Sequence, residues 1–198
     1  VEKTTFSTDT TAIVPGAPTS SARSTVRATS SSTAGYFGGG DTSTIVDKLT
    51  YSTETTVRIP GADLTKTVSN RGVAGNSTAG YFGGGYSPST TKTDKLTYSS
   101  DTTAAVPGAA LSVARYGVAA TGNSTHGYFG GGRGTGPIYV TTMDKLTYSS
   151  DTTAEVPGAA ISDDRYVFAA TGNTTAGYFG GGLGPGPNAF STVDRVTY

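Results

Sequence analysis

The hexapeptide GYFGGG occurs four times in this chain, at residues 35–40, 80–85, 127–132 and 177–182. A glycine run behind two aromatic residues is compatible with a phosphate-binding loop, a flexible linker or a structural repeat. A phosphate loop requires Lys and Ser or Thr directly after the glycines, at the start of a helix. The residues that follow the four runs are Asp41, Tyr86, Arg133 and Leu183. The motif is therefore not a phosphate loop, and a structural repeat remains the better interpretation.

The repeat extends over the whole chain. Each unit opens on an acidic residue, and these residues are Glu2, Asp47, Asp94, Asp144 and Asp194. The 198 residues form a single repeat domain with units 2–46, 47–93, 94–143 and 144–193, and residues 194–198 begin a fifth. Repeats of 45 to 50 residues are typical of propellers and stacked arrays.

The unit that starts at Asp94 predicts four short strands. In DKLTYS, Leu96 and Tyr98 alternate onto one face, and the following TTAAV ends at a Pro-Gly pair. The third strand is ARYGVAAT, and the fourth is THGYFGGG. Between them, Gly122 and Asn123 predict a two-residue hairpin turn with positive φ. No stretch has a sustained helical period.

Four antiparallel strands in such a unit predict an all-β fold, a β-propeller of four blades or an ordered segment of a longer propeller array. Counting strands by type gives seventeen, one more than four complete blades need. In a closed ring of four blades, residues 2–7 and 194–198 would compete for one position. A piece of a longer array, a small ring, and an open stack that closes against other copies are all compatible with this count.

The units resemble kelch repeats. A kelch blade has an Arg before its first strand, then a hydrophobic strand that ends in glycines, and later a Tyr, as Arg115, GYFGGG and Tyr148 do here. Val68 stands where the second unit should have the Arg, and the usual Trp of the fourth strand is absent. A weaker resemblance is to repeat proteins of cyanophage virions, such as tail fibres. We expect the repeated side chains to be structural: Tyr36, Phe37, Tyr81, Phe82, Tyr128, Phe129, Tyr178, Phe179, Arg23, Arg115 and Arg165.

Composition argues against several function classes. Fourteen basic and fourteen acidic residues balance, whereas a nucleic-acid surface needs a basic excess. The chain has no Cys and no apolar run long enough to span a bilayer, so membrane insertion is not expected. The single His126 has no clustered carboxylates beside it in sequence, so we expect no enzyme activity, no metal and no cofactor. Because the sequence opens on Val without an initiator Met, we expect a processed chain or an excerpt.

Other recurring polar residues have structural interpretations. Acidic residues recur in the turn before the TT pair, where we expect them to cap the turn rather than to bind calcium: Asp9, Glu54, Asp101 and Asp151. The acids and arginines at strand ends could form ion pairs or lie solvated. Three asparagines match N-glycosylation sequons, although the turn itself explains them: Asn76, Asn123 and Asn173.

The loops after the glycines differ most between units. They contain 6, 8, 11 and 11 residues, and in a meander they lie on the same face as the PGAALS loops. Because recognition residues concentrate on loops of a rigid scaffold, the candidates are Tyr86, Arg133, Ile138, Tyr139, Leu183, Asn188 and Phe190.

The expected function is a non-enzymatic scaffold that binds a glycan or a protein, in a virion appendage or an extracellular adhesin. The alternative is a purely structural element that self-assembles into a fibre or virion. In both cases we expect a homo-oligomer or a part of a larger assembly.

Overall fold

The structure, a computed structural model, describes residues 1–41 and 43–198 and confirms the all-β prediction. The first two strands are β1 (Glu2–Thr5) and β2 (Thr10–Ile13). Blade 1 contains β3 (Arg27–Ser30), β4 (Ala34–Gly38), β5 (Val46–Thr50) and β6 (Thr55–Arg58). Blade 2 contains β7 (Gly72–Gly75), β8 (Ala79–Gly83), β9 (Thr93–Thr97) and β10 (Thr102–Ala105). Blade 3 contains β11 (Ala119–Gly122), β12 (His126–Gly130), β13 (Met143–Thr147) and β14 (Thr152–Glu155). Blade 4 contains β15 (Ala169–Gly172), β16 (Ala176–Gly180) and β17 (Val193–Thr197).

These seventeen strands of the described chain form antiparallel sheets arranged as a four-bladed propeller. Three blades have four strands, blade 4 has three, and β1 and β2 form a separate hairpin sheet. The first strands of successive blades, β3, β7, β11 and β15, lie side by side at the centre. Single turns of 3-10 helix follow the last strands of blades 1 to 3, at Pro60–Ala62, Pro107–Ala109 and Pro157–Ala159.

Each of the units 47–93, 94–143 and 144–193 contributes to two blades, whereas unit 2–46 contributes to the hairpin and to blade 1. Residues 94–143 contain the outer strands of blade 2 and the inner strands β11 and β12 of blade 3. The hydrogen bonds of β12 with β13 therefore join consecutive units within one sheet. This division stabilises the array because removing unit 47–93, 94–143 or 144–193 would break the sheets of two blades.

The hairpin β1–β2 lies against blade 1, and its Lys3 forms an ion pair with Glu54. The strands β1–β2 and β15–β17 belong to separate sheets. Residues 2–7 and 194–198, which would compete for one position in a closed ring, therefore occupy two different positions.

Tyr and Phe of the repeated motif fill the spaces between blades, as predicted. Tyr36 stacks on Tyr98 of the next blade with ring centroids 5.0 Å apart, and Tyr81 stacks on Tyr148 at 5.1 Å. The phenylalanines of blades 2 to 4 are fully buried: Phe82, Phe129 and Phe179. Two motif residues depart from the prediction. Phe37 is only half-buried, on the side of blade 1 that faces the small hairpin, and Tyr178 is exposed because none of the blades in residues 1–41 and 43–198 packs on its side of blade 4.

The glycines of the motif provide close contact and unusual backbone angles. A Cβ on Gly83 would lie 3.0 Å from the ring of Phe129, and the following Gly84 has φ +71°. Close approach and positive φ both favour glycine.

The arginines and acids at strand ends form buried ion pairs inside each blade. Arg115 and Asp144 are both fully buried, with Nη2 2.8 Å from Oδ2. The other pairs are Arg23–Asp47, Arg71–Asp94 and Arg165–Asp194. Arg71 replaces the arginine missing at Val68, since it reaches the same carboxylate position from three residues further along. The solvated alternative does not apply.

The acidic turn residues do not cap their own turns. All four have positive φ; the carboxylates of Asp101 and Asp151 accept bonds from the preceding blade, and that of Glu54 pairs with Lys3 of the hairpin. Asp151 accepts the hydroxyl of Tyr81 at 2.5 Å and Lys95 Nζ at 2.8 Å. The prediction failed because the partner lies some 70 residues away in the chain.

The turn at Gly122 and Asn123 also differs from the prediction. Asn123 does not have positive φ, because its side-chain Oδ1 accepts hydrogen bonds from Thr125 N, Thr125 Oγ1 and His126 N. Asn76 and Asn173 make the same bonds. The asparagines therefore stabilise three turns through their side chains.

Candidate binding surface

Loops from neighbouring blades meet on one face of the propeller. The residue after each of the last three glycine runs pairs through its backbone with the loop that enters the same blade, in the bridges Ser69–Tyr86, Tyr116–Arg133 and Tyr166–Leu183. This pairing confirms that the variable loops and the loops after the 3-10 turns share a face. The bridges also fix the loops to the scaffold, so their side chains are held in place.

Four tyrosines come together on this face. The rings of Tyr86 and Tyr116 have centroids 4.6 Å apart, Tyr116 meets Tyr166 edge-on at 6.0 Å, and Tyr139 meets Tyr166 at 5.6 Å. Tyr86 is 49% exposed, whereas the other three are half-buried. We call these four tyrosines with Arg133 the tyrosine platform. It extends over the loops of blades 2, 3 and 4.

Arg133 lies against the tyrosine rings. Its guanidinium carbon is 5.1 Å from the centroid of Tyr139 and 5.8 Å from that of Tyr166, distances typical of cation–π contacts. Its Nε donates to the carbonyl of Gly136 at 3.1 Å, which orients the side chain. Burial raises the pKa of Tyr116, and the charge of Arg133 opposes this shift only in part. The Tyr116 hydroxyl therefore stays protonated at neutral pH and can both donate and accept hydrogen bonds.

Two open clefts adjoin the tyrosine platform. The first, of about 420 Å³, is lined by Tyr86, Tyr116, Arg133 and the hydroxyls of Ser87, Ser89 and Thr135. The second, of about 510 Å³, is lined by Tyr139 with Thr141, Thr142, Ser162, Asp163 and Asp164. The surface thus combines aromatic rings with many hydrogen-bonding groups.

The structure brings together three of the candidate loop residues, Tyr86, Arg133 and Tyr139. Leu183 is exposed beside Tyr166, and Ile138 is exposed near Gly134. The last two candidates lie within their own loop on blade 4. Asn188 Nδ2 donates to the carbonyl of Pro185 at 3.3 Å, and Phe190 is half-buried against Gly184.

Tyr116 and Tyr166 were not among the predicted site residues. The segment ARYGVAAT was predicted as one strand, but β11 begins only at Ala119. Gly117 interrupts it with φ +64°, and its N–H donates to the carbonyl of Asn70 in the neighbouring blade. The Tyr that directly follows the buried Arg in two units was the signal that could have placed both tyrosines on the loop face.

Outside the tyrosine platform, the described chain offers few groups suited to metal binding or acid–base chemistry. Within residues 1–41 and 43–198, no group of three or more His, Asp or Glu side chains is placed to hold a metal ion. His126 Nδ1 lies 2.8 Å from Thr125 Oγ1, and burial together with the charge of Lys145 lowers its pKa. None of the helical turns in that part of the chain has the length or apolar character to cross a membrane.

Comparison of the sequence with models of known protein families gave no match, and comparison with curated proteins gave no significant match.

Proposed function

We propose that this protein is a non-enzymatic propeller scaffold whose loop face binds a glycan through the tyrosine platform. The observation that carries the proposal is the convergence of four tyrosines and Arg133 from three blades on one surface. Tyrosine, with few rotatable bonds, provides a large rigid contact area and a hydroxyl. A surface built this way recognises a partner with little loss of conformational entropy.

A glycan fits this chemistry better than an apolar small molecule. Sugar rings present C–H faces that stack on aromatic rings, while their hydroxyls need many donors and acceptors. The two clefts are open and lined by Ser, Thr and Asp side chains around the tyrosine rings. A drug-like ligand would instead need an enclosed and mainly apolar pocket.

The proposal includes a kelch-like relationship and an extracellular or virion role, in a tail fibre or adhesin. Two features support the kelch-like relationship: an Arg before the first strand of the blade, as Arg115 in blade 3, and glycines after the second strand. A stiff propeller that displays one variable face suits attachment to surface glycans.

Glycan-array binding followed by titration tests the proposal. We expect the chain to bind a subset of glycans, and Tyr116→Ala and Arg133→Met to weaken that binding by about tenfold or more, as for central interface residues. Phe6→Ala is the control, because Phe6 is an exposed aromatic residue in the turn of the hairpin β1–β2 and lies outside the platform. No glycan binding, or equal losses in the control, would contradict the proposal.

A further inference from the structure

The contact between consecutive blades is repeated and has two complementary sides. One side, which we call the leading side, presents the motif Tyr and the Lys of the third strand, for example Tyr81 and Lys95. The other, the trailing side, presents the third-strand Tyr and the turn acid of the next blade, here Tyr148 and Asp151. The same contact joins blades 1 and 2 through Tyr36, Lys48, Tyr98 and Asp101.

The leading side of blade 4 is exposed. Tyr178 is 37% exposed, whereas the equivalent tyrosines of blades 1 to 3 are at most 3% exposed. Val193 is 65% exposed, whereas the equivalent Val46, Thr93 and Met143 are at most 1% exposed. Arg195 pairs with Tyr178 across the sheet, as Lys95 does with Tyr81, so it holds the position of the bridging lysine.

The trailing side of blade 1 has the complementary residues. Tyr51 is 44% exposed, whereas the equivalent Tyr98 and Tyr148 are at most 8% exposed. Glu54 stands in the turn position of Asp101 and Asp151 and has the same positive φ. Thus one end of the array carries an exposed Tyr and Arg, and the other carries an exposed Tyr and a Glu.

The hairpin β1–β2 covers the trailing side of blade 1 only loosely. Its Lys3 bonds Glu54 as Lys48 bonds Asp101, but seven of its eight strand residues are exposed. A cavity of about 330 Å³ lined by Val1, Val14, Leu49 and Tyr51 remains between the hairpin and the blade. The hairpin occupies the position of a blade without filling it, so a complete leading side would pack better there.

We propose that the leading side of blade 4 docks on the trailing side of blade 1 of a second copy, so that copies join head to tail. In this interface Tyr178 stacks on Tyr51 of the second copy, Arg195 replaces Lys3 on its Glu54, and its hairpin β1–β2 is displaced. The occupant is a second copy because the interface continues the contact that joins blades 1 to 4 and because the charges at the two ends are opposite. Such a contact is heterologous, so copies joined by it form a ring if the rotation between them closes and an open chain if it does not. It does not depend on the proposed glycan site.

Sedimentation velocity over a concentration series of the full chain tests this proposal. We expect the wild type to form species larger than a monomer as its concentration rises. Arg195→Glu and Glu54→Arg, neither of which changes a core side chain, should each weaken association by about tenfold or more. An equimolar mixture of the two variants should restore it, because the two substituted side chains then meet with opposite charges. Lys3→Glu should strengthen association, because the hairpin loses its bond to Glu54.

Several results would overturn the proposal. A wild type that stays monomeric at every concentration would do so, and so would variant mixtures that associate no better than either variant alone. Lys3→Glu that leaves association unchanged would overturn the displacement of the hairpin. Circular dichroism of each variant confirms that the propeller is intact.

Discussion

The buried pair Arg115–Asp144 should be among the most sensitive points of the fold. Both side chains are fully buried, and Asp144 Oδ2 accepts Arg115 Nη2 at 2.8 Å and the backbone N–H of Ser112 at 3.0 Å. Arg115→Met removes the cation and leaves a buried carboxylate with one backbone donor. Breaking such a pair costs about 3–5 kcal/mol, a large part of the roughly 5–15 kcal/mol that stabilises a typical domain.

Urea unfolding followed by circular dichroism measures this loss. Arg58→Met is the matched control, because Arg58 Nη2 lies 2.6 Å from Asp63 Oδ2 but its side chain is 45% exposed. An exposed pair contributes about 1 kcal/mol or less. The double variant Arg115→Met/Asp144→Leu should recover much of the loss, since it leaves no uncompensated charge. Equal effects of Arg115→Met and Arg58→Met would refute the reasoning.

Three further perturbations test other parts of the scaffold. Burial raises the pKa of Asp151, but hydrogen bonds from Lys95 and the motif tyrosine outweigh this effect, so the pKa lies below the ordinary 3.8. The stabilising contribution of Asp151 should therefore be complete above pH 3.8 and should be lost as the pH falls through the folded-state pKa. Asp151→Asn should make the free energy of unfolding depend less on pH in this acid range, as measured by unfolding at a series of pH values. Gly80→Ala should destabilise by about 1–3 kcal/mol in urea unfolding, because its Cβ would lie 2.4 Å from a side chain of the neighbouring blade, while Gly158→Ala, with nothing within 4 Å, should be near neutral. Val167 has φ +53° although it is β-branched, so Val167→Gly should raise the thermal midpoint and stabilise by about 1 kcal/mol; an unchanged or lower midpoint would contradict the strain.

Local patterns in the sequence predicted the strands well. Alternating residues such as Leu96 and Tyr98 lie on one buried face, and Pro-Gly pairs end the last strands of the blades, as at Pro107. Both signals are contained in a few residues, so the sequence alone is sufficient. The sequence alone does not determine the ion pairs, because each Arg and its Asp come together across a sheet and are far apart in the chain, 29 residues for Arg115 and Asp144.

The parts of the site that were not predicted depend on contacts between blades. The sequence predicts Tyr116 in a strand because Gly117 is compatible with extended backbone, whereas in the structure Gly117 has positive φ and donates to the carbonyl of Asn70 in the neighbouring blade. Asp151 was assigned to turn capping because its partner, Tyr81, lies in another unit. Local patterns in a repeat sequence predict the strands of each blade, but they do not predict which residues of two neighbouring blades are in contact.

Chemical-shift mapping of the labelled chain, titrated with a glycan that it binds on the array, tests the central claim most directly. We predict saturable shifts at residues 86–89, 116, 133–139 and 166, the loops that carry the tyrosine platform. Shifts at the opposite face, around Ser77, Ser124 and Ser149 at the other ends of the blades, or an absence of saturable shifts, would contradict the account.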